Sequence, residues 1–492
     1  MKTVNPEKVY KLHMGPSKYA LDLCDGSERG EYVSQDYILH TVGRKCRAIN
    51  LMYCYYPNEP TWPQRACDAY ADKNVSFAWD YPYEDYFPYG GGLNGDPDAE
   101  VFKQIRDIRS HGMDVILTLT MDPKLSDEQL RSIGHDLRKF GRVEVRINHE
   151  CTGDWFPFTK RATYAELGEF FAHASEIIRE EAPNVKTIIC AGGIQKEGDV
   201  KVEKEDEFLP SILAADIWSI DKYLALHWGW PYDVAEEGGN SFARYDLKDV
   251  FRMAKSTYNR YKELNGGQGK PFVLAELNAD GDVTGPYDQV TMMKEFVEMI
   301  KKDGGDWFTG FTFYQFRDRG RLGMEIEDPN NKYVGIKQPL MDYYVELINM
   351  PEFLPAIEER ESLVANEEGE LTKVQTLRYG GATDCEGIAM DFTVPANPHF
   401  FELYFDDADL INLNCMIEVN GQWIRKAPGT KCVDLMEAFF KKPLTGETKV
   451  TVTLITPPGN GENALDAGDD LLNSYTTVKK LPKVRIETKP VA

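Results

Sequence analysis

Two glutamates stand where the surrounding pattern could put them to chemical use. Glu150 closes the segment Arg146-Ile147-Asn148-His149-Glu150, and Glu276 closes Phe272-Val273-Leu274-Ala275-Glu276. Each follows an apolar or β-branched run that reads as a strand. A carboxylate at such a position is costly to bury unless it is hydrogen-bonded or used. Two carboxyl groups facing each other can cleave an acetal: one protonates the leaving oxygen while the other attacks the carbon. A strand-end ion pair would explain either glutamate alone, and both together less readily. Arg146 lies four residues before Glu150, on the same side of a strand of period two, where its charge would hold a nearby carboxylate ionised. Trp155 and Phe156 follow on the same loop. Trp79, His227, Trp228, Trp230 and Tyr314 fall at or near the ends of other expected strands, where they would line a pocket and bind substrate.

The elements that must position these residues alternate from about residue 44 to 350. Strands are expected at 48–53, 75–79, 114–121, 142–147, 185–190, 217–226, 271–276 and 308–316. Helical segments follow them at 62–72, 97–109, from Ser126 onward, 164–181, 248–264, 287–302 and 340–348. Ser126 and Gln129 make a capping box at the third of these. A parallel crossover needs a helix, so eight strand–helix units in a row predict a (β/α)8 TIM barrel with its site at the C-terminal strand ends. The fifth crossover, 197–207, is the weak one, being charged and loop-like. After residue 353 the texture becomes short strands with turns between them, at 371–379, 387–394, 400–404, 414–419, 449–455 and 483–487, which predicts an all-β sandwich. The expected organisation is an N-terminal lead-in at 1–43 packed on the barrel, the catalytic barrel at 44–352, and a β-sandwich accessory domain at 353–492 that braces it.

Composition narrows the partners. In 492 residues, 80 Asp and Glu outweigh 56 Lys and Arg, for a formal net charge of −24. That disfavours nucleic acid and anionic membrane surfaces, which need clustered cations, and suits a neutral substrate. No apolar run is long enough to span a bilayer. The first six residues carry no signal-peptide pattern, which fits a secreted or cell-surface mature form, with a cytoplasmic protein as the alternative. Nine Cys without a CxxC pair read as reduced and buried. His149-Glu150 lacks the second His of a zinc-protease helix, the Gly90–Gly95 stretch lacks the Lys of a P-loop, and no GxSxG elbow occurs. The acidic stretches at 406–409 and 466–470 do not fit an EF-hand and read as solvated turns. No metal or other cofactor is expected, and the oligomeric state is not legible.

The segment Arg146 to Phe156 resembles the strand-four motif of glycoside hydrolase family 26, the β-mannanase family within a large clan of retaining (β/α)8 enzymes. Ile217-Trp218-Ser219-Ile220-Asp221-Lys222-Tyr223 is similar to the family's strand-six segment, and Lys270 to Glu276 to its strand-seven segment. The resemblance implies Glu150 as general acid/base, Glu276 as nucleophile, His149 as a positioning residue and Tyr223 as a phenol that orients the nucleophile. It implies a β-linked polysaccharide or oligosaccharide as substrate, with β-mannan the first expectation. Thr152 in place of the usual Asn, and Tyr314 with Phe316 where a strand-eight Trp would stand, leave xylan and mixed-linkage glucan as alternatives. A barrel that binds carbohydrate without cleaving it is the competing class.

Overall fold

The computed structural model describes residues 2–27, 30–70, 86–153, 155–192, 207–227, 242–380, 384–396, 398–455 and 473–488. Eight parallel strands close on themselves: Ala20–Cys24, Ala48–Tyr55, Asp114–Met121, Val143–Ile147, Val185–Gly192, Ile217–His227, Phe272–Ala279 and Gly310–Phe313. The last pairs back onto the first in register, Gly310 with Ala20 and Phe313 with Leu23. Helices pack around this barrel, and its core is built from Leu, Ile, Val and Phe contributed by strands and helices alike.

The expected barrel is therefore present, with its start displaced. Strand one is Ala20–Cys24, inside the segment expected to be a lead-in, and the first expected strand is strand two. Strands two and three pair directly over eight residues; the strand expected at 75–79 lies outside the described residues, as does nearly all of the weak crossover at 197–207. Strand one escapes an alternation reading because it is five residues long and carries Asp22. That carboxyl is buried, and it is matched by Arg47, which also bonds Glu144. Burial raises the Asp22 carboxyl to about 6 against the pull of Arg47. A paired charge at the barrel floor looks like a surface residue in the sequence.

The helices match expectation closely where caps mark them. Tyr164–Glu181 begins at a Thr163/Glu166 capping box, and Asp127–Leu137 at the Ser126/Gln129 box. Each box satisfies two backbone donors that the helix start leaves free.

Two antiparallel sheets form the β-sandwich, and both recruit the N-terminus. Lys8–Gly15 lies between Ala356–Leu363 and Asp384–Val394 in the larger sheet. Lys2–Val4 pairs with Lys483–Thr488 in the smaller one. Their facing sides share one apolar core, with Ile388, Met390, Ile417 and Val452 from the larger sheet against Phe401, Leu403, Val484 and Ile486 from the smaller. Residues 1–43 thus divide between the sandwich, strand one and the first helix, Gln35–Val42, instead of forming a separate lead-in.

Against the barrel, Met14, Met416, Trp423 and Ile455 of the sandwich pack on Leu39 of that helix. Arg44 stacks 5.1 Å from the Trp423 ring centre, and Trp423 N–H donates to Gly43 O at 2.8 Å. Gly43 ends the helix at φ 84°, a left-handed conformation that favours glycine, with Gln422 Oε1 2.9 Å from where a Cβ would stand. Trp423, the sole Trp after residue 353, faces the barrel. No helix among the described residues is long and apolar enough to cross a membrane.

Candidate active site

Strand four brings Arg146 into the barrel and ends at Ile147. Two left-handed residues follow, Asn148 and Glu150, both at φ 50°. Asn tolerates this region, and Asn148 Oδ1 anchors the turn by accepting Met121 N–H at 2.6 Å. Glutamate has no such excuse, and backbone strain at a carboxylate is a mark of functional sites. Trp155 Nε1–H donates to Glu150 Oε2 at 2.7 Å. Gly153 makes room for that indole, because a Cβ there would fall 2.3 Å from its ring.

Glu276 projects from strand seven next to Asp221 of strand six, its partner in register. Tyr223 O–H donates to Glu276 Oε2. His149 Nε2 lies 3.0 Å from Glu276 Oε1 and 3.0 Å from Asp221 Oδ2. Arg146 Nη1 stands 3.7 Å from Glu276 Oε1, while its Nη2 donates to Ala275 O at 3.0 Å. Cys190 Sγ, near the end of strand five, donates to Asp221 Oδ1 at 3.2 Å. Four strands thus converge on one buried group of charges.

The electrostatics follow from that convergence. Burial pushes the Glu150 carboxyl up to about 8; the charges of Asp221 and Glu276 push the same way, against His149 and the Trp155 hydrogen bond. Burial would lower the His149 imidazole, but Asp221 and Glu276 overcome it and hold the ring well above its ordinary value. Burial would raise the Asp221 carboxyl, yet His149 and Arg146 hold it low. The Tyr223 phenol is raised by burial and by its anionic neighbours, and so stays a hydrogen-bond donor.

Other strand-end carboxylates have structural work. Asp25, after strand one, accepts from Ser27 N–H, Ser27 O–H and Val33 N–H. Asp122, after strand three, is paired with Arg161. Asp280 caps the turn at Gly281–Thr284 and accepts His227 N–H at 3.3 Å. Glu150 and Glu276 are bound instead by side chains converging over the barrel mouth.

The structure therefore brings together Arg146, His149, Glu150, Trp155, Tyr223 and Glu276. Tyr314 joins them at the edge, its ring 5.7 Å from that of Tyr223 and perpendicular to it. His227 is buried at the end of strand six, tied through its backbone to Asp280. Trp79, Trp228 and Trp230 lie outside the described residues. Asp221 and Cys190 were not singled out from the sequence. Asp221 could have been, since it lies two residues before Tyr223 and so on the same face of its strand; a lone Cys at a strand end carries no such signal.

Fold and site together define a closed (β/α)8 barrel with a carboxylate-, histidine- and phenol-bearing centre at its C-terminal strand ends. No protein-family model matches the chain, and no curated protein matches it. Solved structures similar to it include a GH26 β-mannanase from Bacteroides ovatus, at 11% identity over 69% of this chain and 91% of that one, with a TM-score of 0.41. Another is a GH51 α-L-arabinofuranosidase from Thermotoga petrophila RKU-1, at 14% identity over 99% of each chain and a TM-score of 0.41. A third is a family 39 glycoside hydrolase from Bacteroides cellulosilyticus WH2, at 10% identity over 89% of this chain and 81% of that one, also with a TM-score of 0.41.

Proposed function

We propose that the protein is a glycoside hydrolase that cleaves β-linked polysaccharide or oligosaccharide with retention of configuration, β-mannan being the first substrate to test. The observation that carries this reading is the contrast between two carboxyl groups at one centre. Glu276 is gripped by Tyr223, His149 and Arg146, while Glu150 is raised to about 8 and keeps its proton at neutral pH. An oriented carboxylate beside a neutral carboxylic acid is the pair that double displacement requires.

In the first step, Glu276 attacks the anomeric carbon and the glycosidic C–O bond breaks as Glu150 gives its proton to the leaving oxygen. In the second, Glu150 takes a proton from water, whose oxygen replaces Glu276 at that carbon. Positive charge from Arg146 and His149 lies against Glu276, and Tyr223 fixes the direction of one of its oxygens. Trp155 presents an aromatic wall beside the acid, suited to a sugar's C–H face. The net charge of −24 disfavours polyanionic substrates and is indifferent to neutral ones.

The test is the stereochemistry of the first-formed product, followed by proton NMR during hydrolysis of mannan, xylan and mixed-linkage glucan. Retention supports the mechanism and inversion overturns it. Binding without turnover on every substrate would make the barrel a carbohydrate-binding protein instead.

A further inference from the structure

Beneath the two glutamates, three donors of different chemistry meet. One ligand atom from each of His149, Cys190 and Asp221 lies within 4.8 Å of the others, and all three residues are buried. Cys190 Sγ is 3.2 Å from one Asp221 oxygen, and His149 Nε2 is 3.0 Å from the other. Around a tetrahedral zinc, with bonds of about 2.0–2.3 Å, donors sit roughly 3.3–3.6 Å apart. Both contacts to Asp221 lie within a few tenths of an ångström of that spacing. Asp221 Oδ2 faces His149 Nε2 in an ion pair, which a metal would replace with a bond from each group to the ion. The carboxylates of Asp221 and Glu276 face two cations, Arg146 and His149, so a divalent ion that displaces one thiol proton and one imidazolium proton leaves the pocket's charge balanced.

We infer that His149, Cys190 and Asp221 form a binding site for a borderline-soft divalent cation, zinc in type, which acts as an inhibitor and not as a cofactor. The sulfur, nitrogen and oxygen donors select zinc or cadmium over magnesium or calcium, which prefer oxygen alone. Binding forms metal–sulfur, metal–nitrogen and metal–oxygen bonds and releases the thiol proton and any imidazolium proton to solvent. It takes the His149 Nε2 atom that now faces Glu276 Oε1, so the ion removes one of the nucleophile's positioning contacts. The inhibition, but not the binding, rests on the glycosidase reading above.

Titration of the full-length protein with Cd2+ in the absence of substrate tests the site. One equivalent should bind with an ultraviolet sulfur-to-cadmium charge-transfer band. Cys190→Ser should lose the band and weaken binding at least about tenfold. Cys432→Ser, which removes an exposed thiol of the sandwich, should change neither binding nor activity. Equal cadmium binding by wild type and Cys190→Ser would overturn the assignment. Should Cys190→Ser fail to fold, X-ray absorption of wild type loaded with one equivalent of Zn2+ decides the matter: one sulfur in the shell supports the site, and a shell of nitrogen and oxygen alone sinks it. On a substrate that is turned over, Zn2+ should inhibit wild type and Mg2+ at the same concentration should not. Binding without inhibition would leave the site standing and count against its inhibitory role.

Discussion

At the scale of single residues, the site makes its chemistry testable through pH. With Glu150 as the acid of the proposed mechanism, kcat/KM should fall as pH rises through about 8. The Trp155 hydrogen bond pulls that carboxyl down, so Trp155→Phe should move the falling limb to higher pH; a limb that stays put would remove Trp155 from the account. The same raised carboxyl costs stability. Its folded-state pKa lies above the unfolded value, so its favourable contribution is complete at acid pH and is lost as pH rises from about 4.5 through 8. Glu150→Gln should therefore be more stable than wild type at pH 8 by about 1–3 kcal/mol in chemical denaturation, with the gain shrinking by pH 5, while kcat falls about 10²–10⁴-fold. Glu276→Gln should fold normally and lose turnover by about 10³-fold or more; retained activity would end the nucleophile assignment. These residues were legible because strand ends expose them to a simple rule of placement. Cys190 was not, because a lone Cys at a strand end carries no signal until the fold brings it to Asp221.

At the scale of elements, the ends of strands seven and eight are tied together. Asn278, two residues beyond Glu276, donates its amide to the carbonyls of both Tyr314 and Leu322. Gln289 reinforces the tie with bonds of 2.7 Å to Ala279 O and Arg321 O. Asn278→Ala would leave those carbonyls without their donor, at a cost of about 1–3 kcal/mol in chemical denaturation. It should also raise KM more than it lowers kcat, because Tyr314 stands on the released loop. An unchanged KM would place Tyr314 outside the substrate's path. Helices such as Tyr164–Glu181 could be read end to end from amphipathic spacing and caps. Strand one could not, since its buried Asp22 is explained only by Arg47 across the barrel floor.

At the scale of the molecule, the sandwich is not a segment that can be cut away. Residues 353–492 alone lack Lys8–Gly15, which separates two strands of the larger sheet and supplies bonds to both. That fragment should stay unfolded or aggregate, as judged by NMR dispersion, and a fusion carrying residues 1–16 should recover structure. Independent folding of 353–492 would show the inserted strand to be dispensable. Where sandwich meets barrel, Trp423→Ala should cost about 3–5 kcal/mol by emptying a buried aromatic site.

The pairing of Lys2–Val4 with Val484 to Ile486 also sets a schedule for synthesis. Val4 must wait for Val484, 484 − 4 = 480 residues later. At about 5–20 residues per second, that is on the order of tens of seconds on the ribosome. Until Ala356–Leu363 and Asp384–Val394 emerge, Lys8–Gly15 is likewise an unclaimed strand with open edges, while the barrel sequence next to it emerges and can close. Nascent chains stalled before residue 384 should therefore recruit chaperones at this N-terminal strand, even when the barrel behind it is already folded.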